Sequence, residues 1–273
     1  MKYKLVAIDM DGTLLNSHDS ISERTRNAIN KAIDKGINIV LSTGRIYLSA
    51  LYYRNLIGLK SPIIACNGAI ISNCKENEIL HKSPINKDIL RKIIELAEDN
   101  NAYYHFYDLS TFYYKGNDDF VKYYKYYQEN FVKQGIDLIG FTDPMEIIDA
   151  NSTYYKLVFV DDNSEKLQYL RRKLEEMKGI SVSKSWHNNL EVMNEGTSKG
   201  KALKLLAQML NIDKDQIIAM GDNENDISMF KVAGLAVAME NGDKIAKEHA
   251  HIIADTNDND GVAKVIEKYI LKN

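Results

Sequence analysis

Residues 5–13 read LVAIDMDGT: an apolar run of four passes directly into a polar segment that holds two aspartates, Asp9 and Asp11. A short continuous apolar run is typical of a strand covered on both faces. Side chains at i and i+2 of an extended segment point the same way, so the two carboxylates should lie on one side. Two such carboxylates repel each other unless a cation or a proton joins them. From this pair alone, a strand that simply ends in a polar turn is the competing interpretation.

The same pattern, an apolar run that ends in polar residues, recurs along the chain. A helical pattern with an apolar face, residues 22–35, follows the first run and stops at Gly36. Short apolar strands that alternate with helices predict an α/β fold with a doubly wound parallel sheet. In such sheets ligands bind beyond the carboxyl ends of the strands. The further strands are predicted at residues 37–41, 62–66, 216–220, 235–239 and 252–254.

The middle of the chain has a different pattern. It opens with a predicted helix over residues 85–100 and continues with alternating, aromatic-rich strands. We therefore predict an inserted α+β domain over residues 84–194, which divides the sheet domain into residues 1–83 and 195–273. A group of tyrosines at Tyr123, Tyr124, Tyr126 and Tyr127 is interpreted as core or interface, since aromatic side chains dominate both. The turn at residues 186–188 is a weaker candidate for substrate recognition.

Composition excludes several classes of protein. The chain of 273 residues is 45% hydrophobic and 27% charged, with a net charge of −3. A nucleic-acid binder would need a strong basic excess, so no nucleic-acid partner is expected. No apolar stretch approaches the ~20 residues of a membrane span, so no membrane partner is expected either. The two cysteines form no disulfide framework, which makes the cytoplasm the default location. The oligomeric state is left open.

A second acidic group, Asp222 and Asp226, follows the strand predicted at residues 216–220. A helix N-terminus enriched in acidic residues would also explain it. Neighbouring parallel strands lie only ~5 Å apart, however, so these carboxylates and those after the first strand would form one oxygen-rich cup. Hard cations prefer oxygen ligands, and we expect Mg²⁺ there.

Two further strand or helix ends carry candidate ligands for an anion. Thr43 and Gly44 follow the strand at residues 37–41, and Lys199 begins a predicted helix that runs to about residue 210. An ordinary turn and a surface lysine are the plainer interpretations of each alone. If functional, Lys199 would hold a phosphate or balance the carboxylates.

Taken together, these motifs resemble the haloacid dehalogenase-like hydrolase superfamily, specifically its Cof-type phosphatases. The resemblance covers essentially the whole chain, and no motif position is missing. It implies a core with the superfamily's Rossmann-like sheet and identifies the insertion with the family's larger α/β cap. The matching positions are Asp9-Met10-Asp11-Gly12-Thr13, Thr43-Gly44-Arg45, Lys199 and Gly221-Asp222-x-x-Asn225-Asp226, with Ala65-Cys66-Asn67-Gly68-Ala69 also similar.

The resemblance also implies a role for each motif residue. Asp9 is expected to be the nucleophile and a metal ligand, and Asp11 the general acid and then the base. The backbone carbonyl of Asp11 is expected to meet the metal, which Asp222 binds and Asp226 supports. The residues expected to hold the transferring phosphoryl group are Met10, Thr43, Gly44, Lys199 and Asn225.

The sequence therefore predicts a Mg²⁺-dependent phosphatase that hydrolyses a small-molecule phosphate monoester through an aspartyl-phosphate at Asp9. Splitting hydrolysis through an acyl phosphate makes two easier steps out of one difficult step. A phosphomutase would use the same aspartyl-phosphate and is the first alternative. A non-enzymatic phospho-acceptor module is the second, although it would need neither the insertion nor an acid at Asp11. The substrate is left open among sugar phosphates, nucleotides, pyridoxal phosphate and flavin mononucleotide.

Overall fold

The computed structural model describes residues 2–73, 78–116, 128–150 and 153–272. The tyrosines at Tyr123, Tyr124, Tyr126 and Tyr127 lie outside this part of the chain. Its strands are β1 Leu5–Ile8, β2 Asn38–Ser42, β3 Ile63–Ala65, β4 Ile70–Ser72, β5 Ile79–Lys82, β6 Tyr103–Tyr107, β7 Thr111–Lys115, β8 Asp137–Phe141, β9 Lys156–Val160, β10 Ile180–Ser183, β11 Asn189–Asn194, β12 Ile217–Gly221, β13 Leu235–Met239 and β14 Ile252–Ala254.

The α-helices agree closely with the predicted ones where a prediction was made. The helix predicted over residues 22–35 begins after Ser22, whose hydroxyl accepts a hydrogen bond from the Thr25 amide, as an N-cap should. The helices are α1 Glu23–Asp34, α2 Tyr47–Ile57, α3 Lys87–Asp99, α4 Gln128–Lys133, α5 Pro144–Asp149, α6 Ser164–Glu175, α7 Lys199–Met209, α8 Ile227–Phe230, α9 Lys244–Glu248 and α10 Gly261–Ile266.

The described strands form two separate sheets, which confirms the predicted fold class. The first has eight strands in the order β14-β13-β12-β1-β2-β3-β4-β5, and the second has six in the order β10-β11-β9-β6-β7-β8. We call the first sheet with its helices the core and the second with its helices the cap. The predicted domain limits, after residues 83 and 194, stay a prediction.

The core sheet is parallel from β14 to β3, and β1 and β12 lie side by side at its centre. Alternate residues of β1 pack on opposite faces: Val6 and Ile8 belong to one apolar cluster, Leu5 and Ala7 to another. Helices α1, α2 and α10 cover the first face, while α7 and α8 cover the second. This two-sided burial explains why the strand reads as a continuous apolar run.

The edge of the core sheet departs from the predicted parallel order. Strands β4 and β5 run antiparallel to their neighbours, and neither strand was predicted from the sequence. Strand β5 was not predicted because it lacks a continuous apolar run. Its residues alternate between half-buried and exposed, and they include His81 and Lys82.

In the cap sheet, β6 and β7 form an antiparallel hairpin, with Tyr107 opposite Phe112. Strand β9 pairs with β6 on one side and β11 on the other. The apolar residues Ile46 and Leu48 of the core pack against the cap residues Tyr107 and Phe112. Among the described residues, no helix is long and apolar enough to cross a membrane.

Helix α7 packs very closely on the segment that includes α8. A Cβ atom built on Gly200 would lie only 1.9 Å from the backbone oxygen of Ser228. No side chain can occupy that space unless the two segments separate. Because Gly200 directly follows Lys199, this contact also fixes the backbone position from which the Lys199 side chain reaches the core sheet.

Replacing Gly200 with alanine should therefore destabilise the protein. In an exposed helix the same change usually stabilises by about 1 kcal/mol, whereas overpacking should cost about 1–3 kcal/mol here. Urea unfolding measures the difference. The control is Gly116→Ala, whose Cβ would meet nothing nearer than 3.4 Å and which should change stability by no more than about 0.5 kcal/mol. Equal effects of the two variants would contradict the close packing.

Candidate active site

Three buried aspartates meet at the carboxyl ends of the central strands. Asp9 follows β1, while Asp222 and Asp226 follow β12, its parallel neighbour. One carboxylate oxygen from each lies within 4.8 Å of the others. Strand pairing produces this proximity: the register joins Ile8 to Met220, so the residues after them emerge side by side. We call Asp9, Asp222 and Asp226 the acidic triad.

A buried ammonium group lies against the triad. The Nζ atom of Lys199 donates to Asp9 Oδ1 at 2.6 Å and to Asp226 Oδ1 at 2.7 Å, and its side chain is only 1% exposed. Burial opposes the charged form of the lysine, but Asp226 and Asp9 outweigh that effect and raise its pKa. Lys199 is therefore held as a cation between two carboxylates.

One ammonium does not balance three carboxylates. Burial raises the pKa of Asp9 to about 7 against the opposing attraction of Lys199. Burial and the neighbouring Asp9 also raise the pKa of Asp222 well above its ordinary value. With all three ionised, two negative charges remain uncompensated beside Lys199. A divalent cation would supply the missing charge, and carboxylate oxygens are ligands that hard cations prefer.

Hydrogen bonds hold the triad in place. Thr13 Oγ1 donates to Asp222 Oδ1 at 3.0 Å, and the amides of Asp222 and Asn223 donate to Asp226 Oδ2 at 2.9 and 3.0 Å. Gly12 lies at φ +73°, and a Cβ atom there would come within 2.4 Å of Asp222 Oδ2. Only glycine fits both the backbone conformation and the space. The chain therefore fits a divalent cation with carboxylates that are already oriented.

Asp11, the other aspartate of the first motif, forms an ion pair with Arg45. Its carboxylate accepts two hydrogen bonds from Arg45, from Nε at 2.9 Å and from Nη2 at 2.5 Å. The Arg45 guanidinium also lies over the Tyr53 ring, 4.8 Å from its centroid. The Asp11 side chain is 52% exposed; the surrounding protein disfavours its ionised form, but Arg45 outweighs that effect and lowers the pKa of Asp11. The predicted contact of the Asp11 carbonyl with a metal stays a prediction.

The predicted phosphate ligands lie around the same strand ends. Thr43 is buried, and its hydroxyl accepts a hydrogen bond from the Arg45 amide at 3.1 Å. The Met10 side chain packs in the apolar core, so any phosphate contact from this residue would come from its backbone. The buried Nδ2 of Asn225 donates to Asn67 Oδ1 at 3.2 Å, while its own Oδ1 has no hydrogen-bond partner within the described part of the chain. The roles of these residues stay predictions.

The cap contributes a buried ion pair that sequence analysis missed. Lys156 of β9 donates to Glu191 Oε1 of β11 at 2.5 Å, and both side chains are 3% exposed. Lys156 also donates to the Gly44 carbonyl of the core at 2.7 Å. Attraction to Lys156 lowers the pKa of Glu191 against the effect of burial. One signal was available: each residue is the charged member of a strand that is otherwise largely apolar.

Asn67 connects this ion pair to the core. Its Nδ2 donates to Glu191 Oε2 at 2.7 Å, while its Oδ1 accepts from Asn225. Asn67 and Cys66 both lie at positive φ, 53° and 49°, a conformation that asparagine tolerates better than most residues. There is also no space for a side chain at Gly44, since a Cβ atom would lie 2.9 Å from Asn67 Oδ1. The cap carboxylate thus orients two core amides beside the triad.

The turn proposed for recognition, residues 186–188, lies between β10 and β11. The side chain of Trp186 is 55% exposed. Just before the turn, the Lys184 carbonyl accepts a hydrogen bond from the Asn225 amide at 3.3 Å. This end of the cap therefore approaches the last motif of the core, while a role of the turn in selectivity stays a prediction.

Comparisons with known proteins give a consistent result. Residues 6–266 match the family of haloacid dehalogenase-like hydrolases. Phosphatase YwpJ of Bacillus subtilis is 32% identical over 282 residues, covering 97% of this chain and 99% of that protein. The 5-amino-6-(5-phospho-D-ribitylamino)uracil phosphatase YcsE of the same species is 33% identical, covering 98% and 96%. A solved haloacid dehalogenase-like hydrolase from B. subtilis superposes with a TM-score of 0.90 at 30% identity, covering 97% and 99%.

The buried ion pair should matter far more for stability than an exposed one. Lys156→Met leaves the Glu191 carboxylate buried without its cation, and we expect a loss of about 3–5 kcal/mol in the free energy of unfolding. Lys173→Met is the control, since Lys173 pairs with Glu176 at the surface, and should cost no more than about 1 kcal/mol. Urea unfolding compares them. Similar losses would show that the pair does not stabilise the fold.

Cation binding at the triad should appear as a shift in melting temperature. We expect Mg²⁺ at ~100 times its Kd to stabilise the protein by about 2.7 kcal/mol, because only the folded chain assembles the site. Asp222→Asn should remove most of this shift without lowering the melting temperature of the metal-free protein. Asp255→Asn, at a surface ion pair with Lys264, should keep the full shift. Equal shifts in both variants would place the cation elsewhere.

Proposed function

The chain belongs to the haloacid dehalogenase-like hydrolases and is a phosphatase of that superfamily; we propose that it hydrolyses a small phosphate monoester through a phosphorylated Asp9, with Mg²⁺ at the acidic triad. The observation that carries this proposal is the position of Lys199, buried between Asp9 and Asp226. A nucleophilic carboxylate attacking a phosphate dianion meets like charge, and a fixed cation beside it offsets the repulsion.

The triad residues Asp9, Asp222 and Asp226 would hold the metal. When bound, Mg²⁺ supplies positive charge that orients a phosphate oxygen and stabilises charge in the transition state. Mg²⁺ fits better than Ca²⁺, because three protein carboxylates leave room for water and phosphate in an octahedral shell, whereas Ca²⁺ takes more ligands.

In the first half-reaction, a carboxylate oxygen of Asp9 attacks phosphorus, and the bond from phosphorus to the ester oxygen breaks. Asp11 donates its proton to that oxygen, so the leaving group departs as a neutral alcohol. General-acid catalysis of this kind typically contributes ~10²–10⁴ in rate. Asp11 must be protonated and directed toward the ester oxygen for this step, and so must release Arg45, which favours its ionised form.

In the second half-reaction, water attacks the phosphorus of the aspartyl-phosphate. Asp11, now ionised, accepts the proton from this water. The bond between phosphorus and the Asp9 oxygen breaks, which regenerates the carboxylate and releases inorganic phosphate. The pairing of Asp11 with Arg45 suits the return to this ionised state, since the guanidinium stabilises the carboxylate.

The remaining motif residues would hold the phosphoryl oxygens. Thr43 and Asn225 offer a hydroxyl and an amide at the strand ends, and Lys199 offers its ammonium. The backbones at Met10 and Gly44 offer positions without an obstructing side chain. Glu191 and Asn67 orient the Asn225 amide, so the cap takes part in arranging this cradle.

Hydrolysis is favoured over a phosphomutase reaction because similar proteins, YwpJ and YcsE, are phosphatases. The name of YcsE specifies a ribityl phosphate attached to a uracil ring, which supports a small phosphate ester as the substrate class here. Product analysis separates the two reactions: hydrolysis releases one inorganic phosphate for each alcohol, while a mutase returns the phosphoryl group to the sugar.

Asp9→Asn should abolish turnover and leave the fold intact. The amide keeps the shape of the side chain but cannot attack phosphorus, so we expect a fall of about 10³-fold or more in phosphate release. Acid-quenched reactions with ³²P-labelled ester should label the wild-type protein and leave Asp9→Asn unlabelled.

The control for this experiment is Asp255→Asn, remote from the triad at the surface, which should retain both activity and labelling. Circular dichroism and melting temperature report on folding. Phosphate release by Asp9→Asn within tenfold of wild type, with its structure intact, would reject Asp9 as the nucleophile.

A further inference from the structure

A cavity of about 240 Å³ opens beside Asp11, between core and cap. Asp11, Arg45 and Tyr53 line it from the core, while Tyr107 and Phe131 belong to its cap side. It therefore borders the proposed general acid on one side and a part of the cap with no assigned role on the other.

The cap side of the cavity is an aromatic wall. Phe112 packs against Tyr107 and Phe131, with ring centroids 5.2 Å apart in each pair. Behind it, the buried His105 stacks on Phe112 at 4.4 Å and 16°, and its Nε2 lies 2.8 Å from the Tyr107 hydroxyl. The rings are thus fixed by packing and hydrogen bonding. Rigid aromatic surfaces of this kind favour flat ring partners through stacking.

The polar groups of the cavity complete a site for a ring with a hydrogen-bonding edge. The Gln134 side chain lines the cavity, and its buried Oε1 atom has no hydrogen-bond partner among the residues that the structure describes. An unpaired buried acceptor is costly, and rotation of this amide toward the cavity would let a donor on a ligand satisfy it. Among the described lining residues, Asp11 and Asp19 outnumber the single cation Arg45, which disfavours a second anionic group on the ligand.

Chemistry connects this cavity to the substrate. The ester oxygen must lie close both to the phosphorus attacked by Asp9 and to the proton of Asp11. The group attached to that oxygen therefore extends past Asp11, which lines the cavity. Drug-sized ligands occupy pockets of about 300–1,000 Å³. At about 240 Å³, this cavity suits one ring with short substituents better than a fused three-ring system.

We propose that this cavity binds the leaving group and selects phosphate esters of single-ring aromatic or heteroaromatic alcohols. The inference rests on the proposed function, because it assumes that Asp11 serves the ester oxygen. Phe131 is its most accessible aromatic residue for substitution, since it is half-buried while Phe112 and Tyr107 are buried.

The experiment measures kcat and KM for wild type, Phe131→Leu and Tyr169→Leu with Mg²⁺. Tyr169 is the control, an aromatic residue of α6 that is 39% exposed and absent from the cavity lining. The substrates are pyridoxal phosphate, flavin mononucleotide, ribose 5-phosphate and glycerol 3-phosphate. We expect the highest kcat/KM with pyridoxal phosphate, and a KM for it that rises about 3- to 10-fold in Phe131→Leu. For glycerol 3-phosphate, wild type and Tyr169→Leu should agree within about twofold, and the ratio of kcat/KM for pyridoxal phosphate to that for glycerol 3-phosphate should fall in Phe131→Leu alone.

A second measurement uses wild type alone and does not depend on the folding of a variant. Pyridoxine, a ring alcohol without phosphate, should inhibit glycerol phosphate hydrolysis competitively, and ribitol should inhibit at least about tenfold more weakly. Equal inhibition by the two alcohols would overturn the inference.

The outcomes separate this inference from the proposed function. Preference for ribose 5-phosphate, or equal effects of Phe131→Leu and Tyr169→Leu, would overturn the aromatic selectivity while phosphatase chemistry stands. Absence of hydrolysis with every ester, together with an unlabelled Asp9, would overturn the proposed function and the inference with it.

Discussion

The structure depends on the burial of three carboxylates at the ends of two adjacent strands. Such a group repels itself, and Lys199 offsets part of that repulsion by donating to Asp9 and Asp226. The lysine occupies the first turn of α7, where its charge opposes the helix macrodipole. The attraction of the triad carboxylates for Lys199 therefore outweighs the unfavourable position of a cation at a helix N-terminus. The remaining charge deficit leaves a place that suits a divalent cation.

Close backbone packing makes this arrangement specific. Gly12 lets the first motif turn against Asp222, and Gly200 lets α7 approach the segment at Ser228. At both glycines, two segments of the site approach so closely that the methyl group of an alanine would keep them apart. The geometry of the carboxylates is therefore set by packing far from solvent, and the site is organised before any ligand arrives.

The cap does more than cover the core. On the face of its sheet that meets the core, strands β9 and β11 carry the ion pair of Lys156 and Glu191, which reaches Gly44 and Asn67. Strands β6 and β7 carry the aromatic wall on the same face, since Tyr107 pairs with both Lys156 and Phe112. In the proposed mechanism, one sheet face would thus support the phosphate cradle at one end and contact the leaving group at the other.

The sequence alone predicts an α/β core with an insertion. It also predicts the acidic residues of the triad and Lys199, because each motif follows an apolar strand or begins a helix. Contacts between distant residues were beyond such reasoning: Arg45 on Asp11, Lys156 on Glu191, and the antiparallel edge strands. The strand Tyr103–Tyr107 has aromatic residues on both faces, so its residue pattern could not show which face packs toward the core. Tertiary structure decided these features, since each depends on which distant segments pack together and on which face of a strand becomes buried.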